Sequence, residues 1–122
     1  MPVDVSWHQE GRIIRIQFYA DVNFDHIQMA YQDSTNLSAD IPNTIHLIVD
    51  FTAVGQFPTH IHKFRDMIQL WQNFPNRGLV IIVGAKGLVR FVGNVVGQIA
   101  KLDFRMVDSL ADAETLVARV NR

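Results

Sequence analysis

Ile45-His46-Leu47-Ile48-Val49 and Leu79-Val80-Ile81-Ile82-Val83 are the two stretches that decide how this chain folds. Each is short, rich in β-branched side chains, and apolar at nearly every consecutive position. A strand with one wet face alternates apolar and polar residues. A strand that is apolar throughout is buried on both faces, as in a parallel sheet clothed by helices. Between the two runs, Thr59 stands as an N-cap, and Ile61, Phe64, Met67 or Ile68, Trp71 and Phe74 recur at spacings of three and four. That spacing predicts a helix ending near Pro75. The centre of the chain therefore reads strand–helix–strand, with Asp50 to Pro58 as the loop leaving the first strand.

The same reading extends in both directions. Upstream, Val3, Val5 and Trp7 alternate with Asp4, Ser6 and His8, and Ile14, Ile16 and Phe18 alternate with Arg15 and Gln17. With the turn Gln9-Glu10-Gly11 between them, these runs predict a β-hairpin. Asn23 caps a helix over about 23–36, with Asp25 in its first turn and Phe24, Ile27, Ala30 and Tyr31 on its apolar side. Downstream, Gly84-Ala85-Lys86-Gly87 is a turn, and Leu88, Val92, Val95 and Ile99 form the spine of a third helix, widened by Val89, Phe91 and Val96. Asp103 to Val107 is a last short strand. Ser109 and Asp112 form a pair resembling a capping box ahead of Leu110, Ala113, Leu116, Val117 and Val120. The predicted order is β-β-α-β-α-β-α-β-α, a single α/β domain over 1–122. Its sheet is mainly parallel, with one antiparallel hairpin strand and right-handed crossovers.

Composition narrows the function. Eleven basic residues nearly balance twelve acidic ones, for a formal net charge of −1, with no run of Lys or Arg. Nothing in that balance draws the chain to a phosphate backbone, so no nucleic-acid partner is expected. The absence of Cys excludes disulfides, thiolate nucleophiles and Cys-based zinc sites. No apolar run approaches the roughly 20 residues that span a bilayer. A cytoplasmic location without membrane insertion is the expectation.

The element order, together with Asp50-Phe51-Thr52-Ala53-Val54, resembles the STAS family of anti-sigma factor antagonists and sulfate-transporter tails. In that family a buried strand ends in Asp-Leu-Ser-x-Val, and after a short loop Asp-Ser-Ser-Gly opens a helix. Here the second motif is replaced by Pro58-Thr59-His60-Ile61. The resemblance implies a non-enzymatic regulatory module acting through protein–protein contact. It also implies a switch at the position of the family's phosphorylated Ser, which is Thr59. Pro58 in place of Asp and Ile61 in place of Gly depart from the pattern, so the likeness supports the fold more than the switch.

Read from chemistry alone, Thr59 is an N-cap hydroxyl where helix-end N–H groups could stabilise an added phosphate. His60 and His62 are two residues apart, which on a helix turns them about 200° from each other, so they cannot share one metal ion. Without further ligands at metal spacing they read as exposed polar residues. His46, inside an apolar strand with no nucleophile beside it, reads as a hydrogen-bonded sheet residue. Gly84 to Gly87 lacks the Walker spacing. Asp50, at the end of a buried strand, reads as an acceptor for loop N–H groups.

The third helix carries apolar residues on more than one stripe, and Gly93 and Gly97 would admit a close neighbour, so it reads first as packed deep between the sheet and a neighbouring helix, with self-association or partner docking as the alternative. The predicted interaction face joins Gln56, Phe57, His60 and His62 to Lys86, Arg90, Phe91 and Asn94. Two alternatives stand beside it. One is a small-molecule or lipid binder with an apolar cleft lined by Phe57, Phe64 and Phe91. The other is an enzyme using Asp50, Thr59 and His60. No catalytic, metal or cofactor motif is expected.

Overall fold

The structure is a computed structural model that describes residues 3–56, 66, 69–71, 73–84 and 104–120. Its elements are β1 (Val3–Gln9), β2 (Ile13–Asp21), α1 (Phe24–Ser38), β3 (Ile45–Gln56), β4 (Arg77–Val83), β5 (Phe104–Val107) and α2 (Leu110–Val120). Residues 66 and 69–71 are helical, within the helix expected between β3 and β4. The helix expected over Leu88 to Ile99 lies outside the described residues.

The strands form one sheet in the order β1-β2-β3-β4-β5. β1 and β2 are antiparallel, and β2–β3, β3–β4 and β4–β5 are parallel. Each parallel step moves one strand further in the same direction, and α1, which joins β2 to β3, lies on one face of the sheet. Ile14, Ile16 and Phe18 of β2, Leu47 of β3 and Val80 of β4 form one core there with Ile27 and Ala30 of α1. Tyr31, Trp71 and Phe74 close it as an aromatic group, with ring centroids 5.2–6.1 Å apart. The last helix, α2, takes the opposite face. There Ala113 and Val117 bury against Ile13, Ile48, Leu79, Ile81 and Val83.

The local signals read in the sequence have physical counterparts. Asn23 Oδ1 accepts the His26 N–H at 3.0 Å, and His26 Nδ1 accepts the Asn23 N–H at 3.1 Å. This is a reciprocal cap in which imidazole takes the usual place of Glu or Gln. Ser109 Oγ accepts the Asp112 N–H at 3.2 Å and starts α2.

One boundary differs. The segment from Asp50 to Gln56, expected as a loop, continues β3, because β2 runs on to Asp21 and offers it an edge. Gln17 pairs with Asp50, Tyr19 with Ala53, Ala20 with Val54 and Asp21 with Gln56. Two register shifts absorb the extra residues, and Ala20 takes φ 50°, a left-handed conformation that side chains other than Gly adopt only under strain.

Candidate functional site

The parallel strands all finish at one end of the sheet, and the segments 57–65 and 85–103 leave from that end of β3 and β4. In open α/β sheets this end is where binding groups collect. Its described centre is Asp50, which is 3% exposed. Asp50 Oδ1 accepts the Thr52 N–H at 2.8 Å and the Thr52 hydroxyl at 2.6 Å, and Oδ2 accepts from Arg15 Nη2 at 3.1 Å. Burial alone pushes this carboxyl up. The hydroxyl and N–H of Thr52, then the Arg15 guanidinium, outweigh burial and hold it below its usual 3.8. A carboxylate held low and bonded through both oxygens is a poor proton acceptor near neutral pH. Asp50 serves as a structural acceptor, with Thr52 as its donor.

Gly84 completes the frame. Its N–H donates to the Val107 carbonyl at 3.0 Å, tying the end of β4 to β5. Its φ is 68°, and a Cβ there would run into the Thr52 methyl. Gly is required on both counts. Asp50, Thr52, Gly84 and Val107 thus lock three neighbouring strands just before two of their connections depart.

His46, at the opposite end of β3, is also structural. Its Nδ1 accepts the Leu79 N–H at 3.0 Å, filling a gap where the β3–β4 register shifts between Ile45 and Leu47. The ring fits because position 78 is Gly: a Cβ there would sit 2.5 Å from Nδ1.

Of the residues singled out by sequence, Gln56 is the last residue of β3. Phe57, Thr59, His60, His62, Phe64, Lys86, Arg90, Phe91 and Asn94 lie outside the described residues. Sequence reasoning missed two contacts on the α2 face. Arg15 reaches Asp50 across 35 positions, and the Tyr19 hydroxyl donates to Asp4 at 2.8 Å. That bond to a carboxylate raises the Tyr19 pKa. Arg15 alternates with buried Ile14 and Ile16 and so looked like a solvent residue. Only the parallel register, which sets Arg15 beside Ile48 and Gln17 beside Asp50, brings it within reach. Among the described residues no group of three or more His, Asp or Glu could hold a metal ion, and no helix is long and apolar enough to cross a membrane.

No protein-family model and no curated protein matches the sequence. Solved structures match the architecture, among them two that cover most of this chain. One is an uncharacterised protein of the DUF3478 family with a SpoIIAA-like fold from Shewanella loihica PV-4. It is 15% identical, with 93% of this chain and 90% of that chain covered and a TM-score of 0.64. The other is the anti-sigma factor antagonist SpoIIAA in its unphosphorylated form. It is 10% identical, with 95% and 96% covered and a TM-score of 0.65. The fold is SpoIIAA-like. The STAS resemblance read from the element order is therefore correct at the level of architecture, in a divergent sequence. Within a SpoIIAA-like fold, the frame around Asp50 holds the ends of the strands that precede the 57–65 and 85–103 segments.

Proposed function

We propose that this SpoIIAA-like domain is a non-enzymatic regulatory module that works by binding another protein at the end of the sheet where β3 and β4 finish. The carrying observation is the fixed stretch of β3 beside the end of β4. Asp50, Thr52 and Gly84 fix the strand, and Gln56, its last residue, stands three positions before Thr59. A hydroxyl that close to the end of the strand can change the charge of the whole end when it is modified, by about 1.5 to 2 negative charges. The likeness to an anti-sigma factor antagonist solved in an unphosphorylated form supports the same reading. Thr59 is the proposed switch, and Gln56, Phe57, His60, His62, Lys86, Arg90, Phe91 and Asn94 are the proposed face. Self-association through that face belongs to the same proposal, as does a cytoplasmic setting.

The test has two steps. Intact-mass analysis of the chain purified from its native host should show a fraction heavier by one phosphate, lost in Thr59→Ala. Proteins co-purifying with tagged Thr59→Ala and Thr59→Glu chains are then compared by quantitative mass spectrometry. A partner retained by the first and depleted from the second is expected. Identical partner sets, with no phosphate at Thr59, would remove the switch. A small molecule bound in equal amount to the protein would remove protein contact as the main activity.

A further inference from the structure

The two edges of the sheet are defended differently. β5 is four residues long, with Arg105 exposed. β1 is seven residues long, pairs with β2 alone among the described residues, and contains no Lys, Arg or Pro. Its register against β2 shifts between Trp7 and Gln9, leaving His8 without a partner in that strand, so the regular run is Val3–Trp7 and His8 extends it on the polar face. An edge whose regular run carries one charge, Asp4, and no Lys, Arg or Pro is a template for a strand that matches that charge.

The sequence of β1 says which strand fits. Val-Asp-Val-Ser-Trp-His-Gln is self-complementary about Ser6. In an antiparallel pair of two copies centred there, Ser6 faces Ser6, Asp4 faces His8 of the other copy, and Val5 faces Trp7 of the other copy, the last two each occurring twice. Asp4, Ser6 and His8 are exposed on the polar face, while Val5 and Trp7 are half-buried on the apolar one. The register therefore joins polar face to polar face and apolar to apolar, as a continuous sheet requires. Moving the centre by one residue towards Trp7 would set Asp4 against Glu10, like against like. Moving it by one towards Val5 would lose the Asp4–His8 pairs.

The residues already bonded there do not block it. Asp4 Oδ2 accepts from Tyr19, and His8 Nε2 lies 3.6 Å from Glu114 Oε1, both on the polar face and away from the backbone edge. We infer that β1 pairs with β1 of a second copy in this register, joining two five-stranded sheets into one. This contact is separate from the proposed partner face at the ends of β3 and β4.

Sedimentation velocity of the full chain over a wide concentration range tests it. A concentration-dependent dimer is expected. Asp4→Lys sets Lys against His8, and His8→Glu sets Glu against Asp4, so each variant alone should dimerise roughly tenfold more weakly from two mismatched cross-strand pairs. Mixed in equal amounts, the two variants restore complementary pairs at both positions and should form a heterodimer as tight as the wild-type dimer. Hydrogen exchange of the wild type should show the β1 amides that point away from β2 protected only at high concentration. A chain monomeric throughout, a dimer unmoved by both variants, a mixture no tighter than its components, or a dimer with those amides unprotected would each overturn the inference.

Discussion

Strand β4 has a glycine at each end, and each glycine is covered by polar side chains of β3, yet the two ends are built for different work. At the start, Gly78 lies under the His46 ring, which bonds the Leu79 N–H. At the finish, Gly84 lies under Thr52, which bonds Asp50. The first repairs a register shift with one hydrogen bond to the backbone. The second is a charged lock in which Asp50, Thr52 and Arg15 share one carboxylate. The lock sits where the segment holding Lys86 begins, four residues before β3 ends and the segment holding Thr59 follows. The end of the sheet carrying the proposed partner face is thus the one held by charge.

Removing that charge is expected to have the largest effect. Asp50→Ala should lower stability by about 3 kcal/mol, because it leaves the part-buried Arg15 guanidinium without its partner. Urea denaturation measures this. The pH dependence follows from the same bond. The folded state holds Asp50 below its usual 3.8, so it binds fewer protons than the unfolded chain as acid is added. The stability it contributes is complete above that usual value and is lost as pH falls through the lowered folded value. Asp50→Asn should flatten that acid limb in a series of urea midpoints, and an unchanged limb would mean that another carboxylate governs it.

Gly84→Ala comes next, at about 2 kcal/mol, from the left-handed backbone and the overlap with Thr52 combined. A change below a few tenths would show that the end of β4 is free to move.

The His46 end should respond less, and in a coupled way. His46→Ala leaves the Leu79 N–H buried without that acceptor, at about 1 to 2 kcal/mol. Gly78→Ala should be harmful, because its Cβ meets both the His46 ring and the Thr44 methyl, and partly milder in the His46→Ala background, with a coupling of about 1 kcal/mol in a double-mutant cycle. Additive effects would disprove the ring-over-glycine contact. The smallest effect is a gain. Ala20→Gly relieves a φ of 50° and should add roughly a few tenths of a kcal/mol, the strain relieved slightly exceeding the backbone entropy of Gly.

The sheet was legible wherever a residue's neighbours in the chain determine its environment. Ile45 to Val49 and Leu79 to Val83 announce double-sided burial, Val3 to Trp7 announces a strand with one wet face, and Asn23 announces a helix start. What escaped depends on partners distant in sequence. Phe51 to Gln56 contains Thr52, Gly55 and Gln56, a composition that alone suggests a loop. It is extended because Tyr19 to Asp21 lies alongside. Arg15 reads as a surface residue until the register sets its strand beside Asp50. Asp50 reads from its position as an acceptor and His46 as a hydrogen-bonded sheet residue; the donors to Asp50 are Thr52 and Arg15, and His46 accepts from Leu79. The predicted partner face itself was drawn on residues that the described part of the molecule reaches only at Gln56.

The identity of chain order and spatial order has a consequence for how the molecule assembles. Every strand docks on the one made just before it, and no strand has to be threaded between two already joined. The sheet can therefore grow by accretion, each newly made strand adding to the one before it. Each stage covers the growing edge with the next strand while β1 stays at the other, until the four residues of β5 leave little to extend.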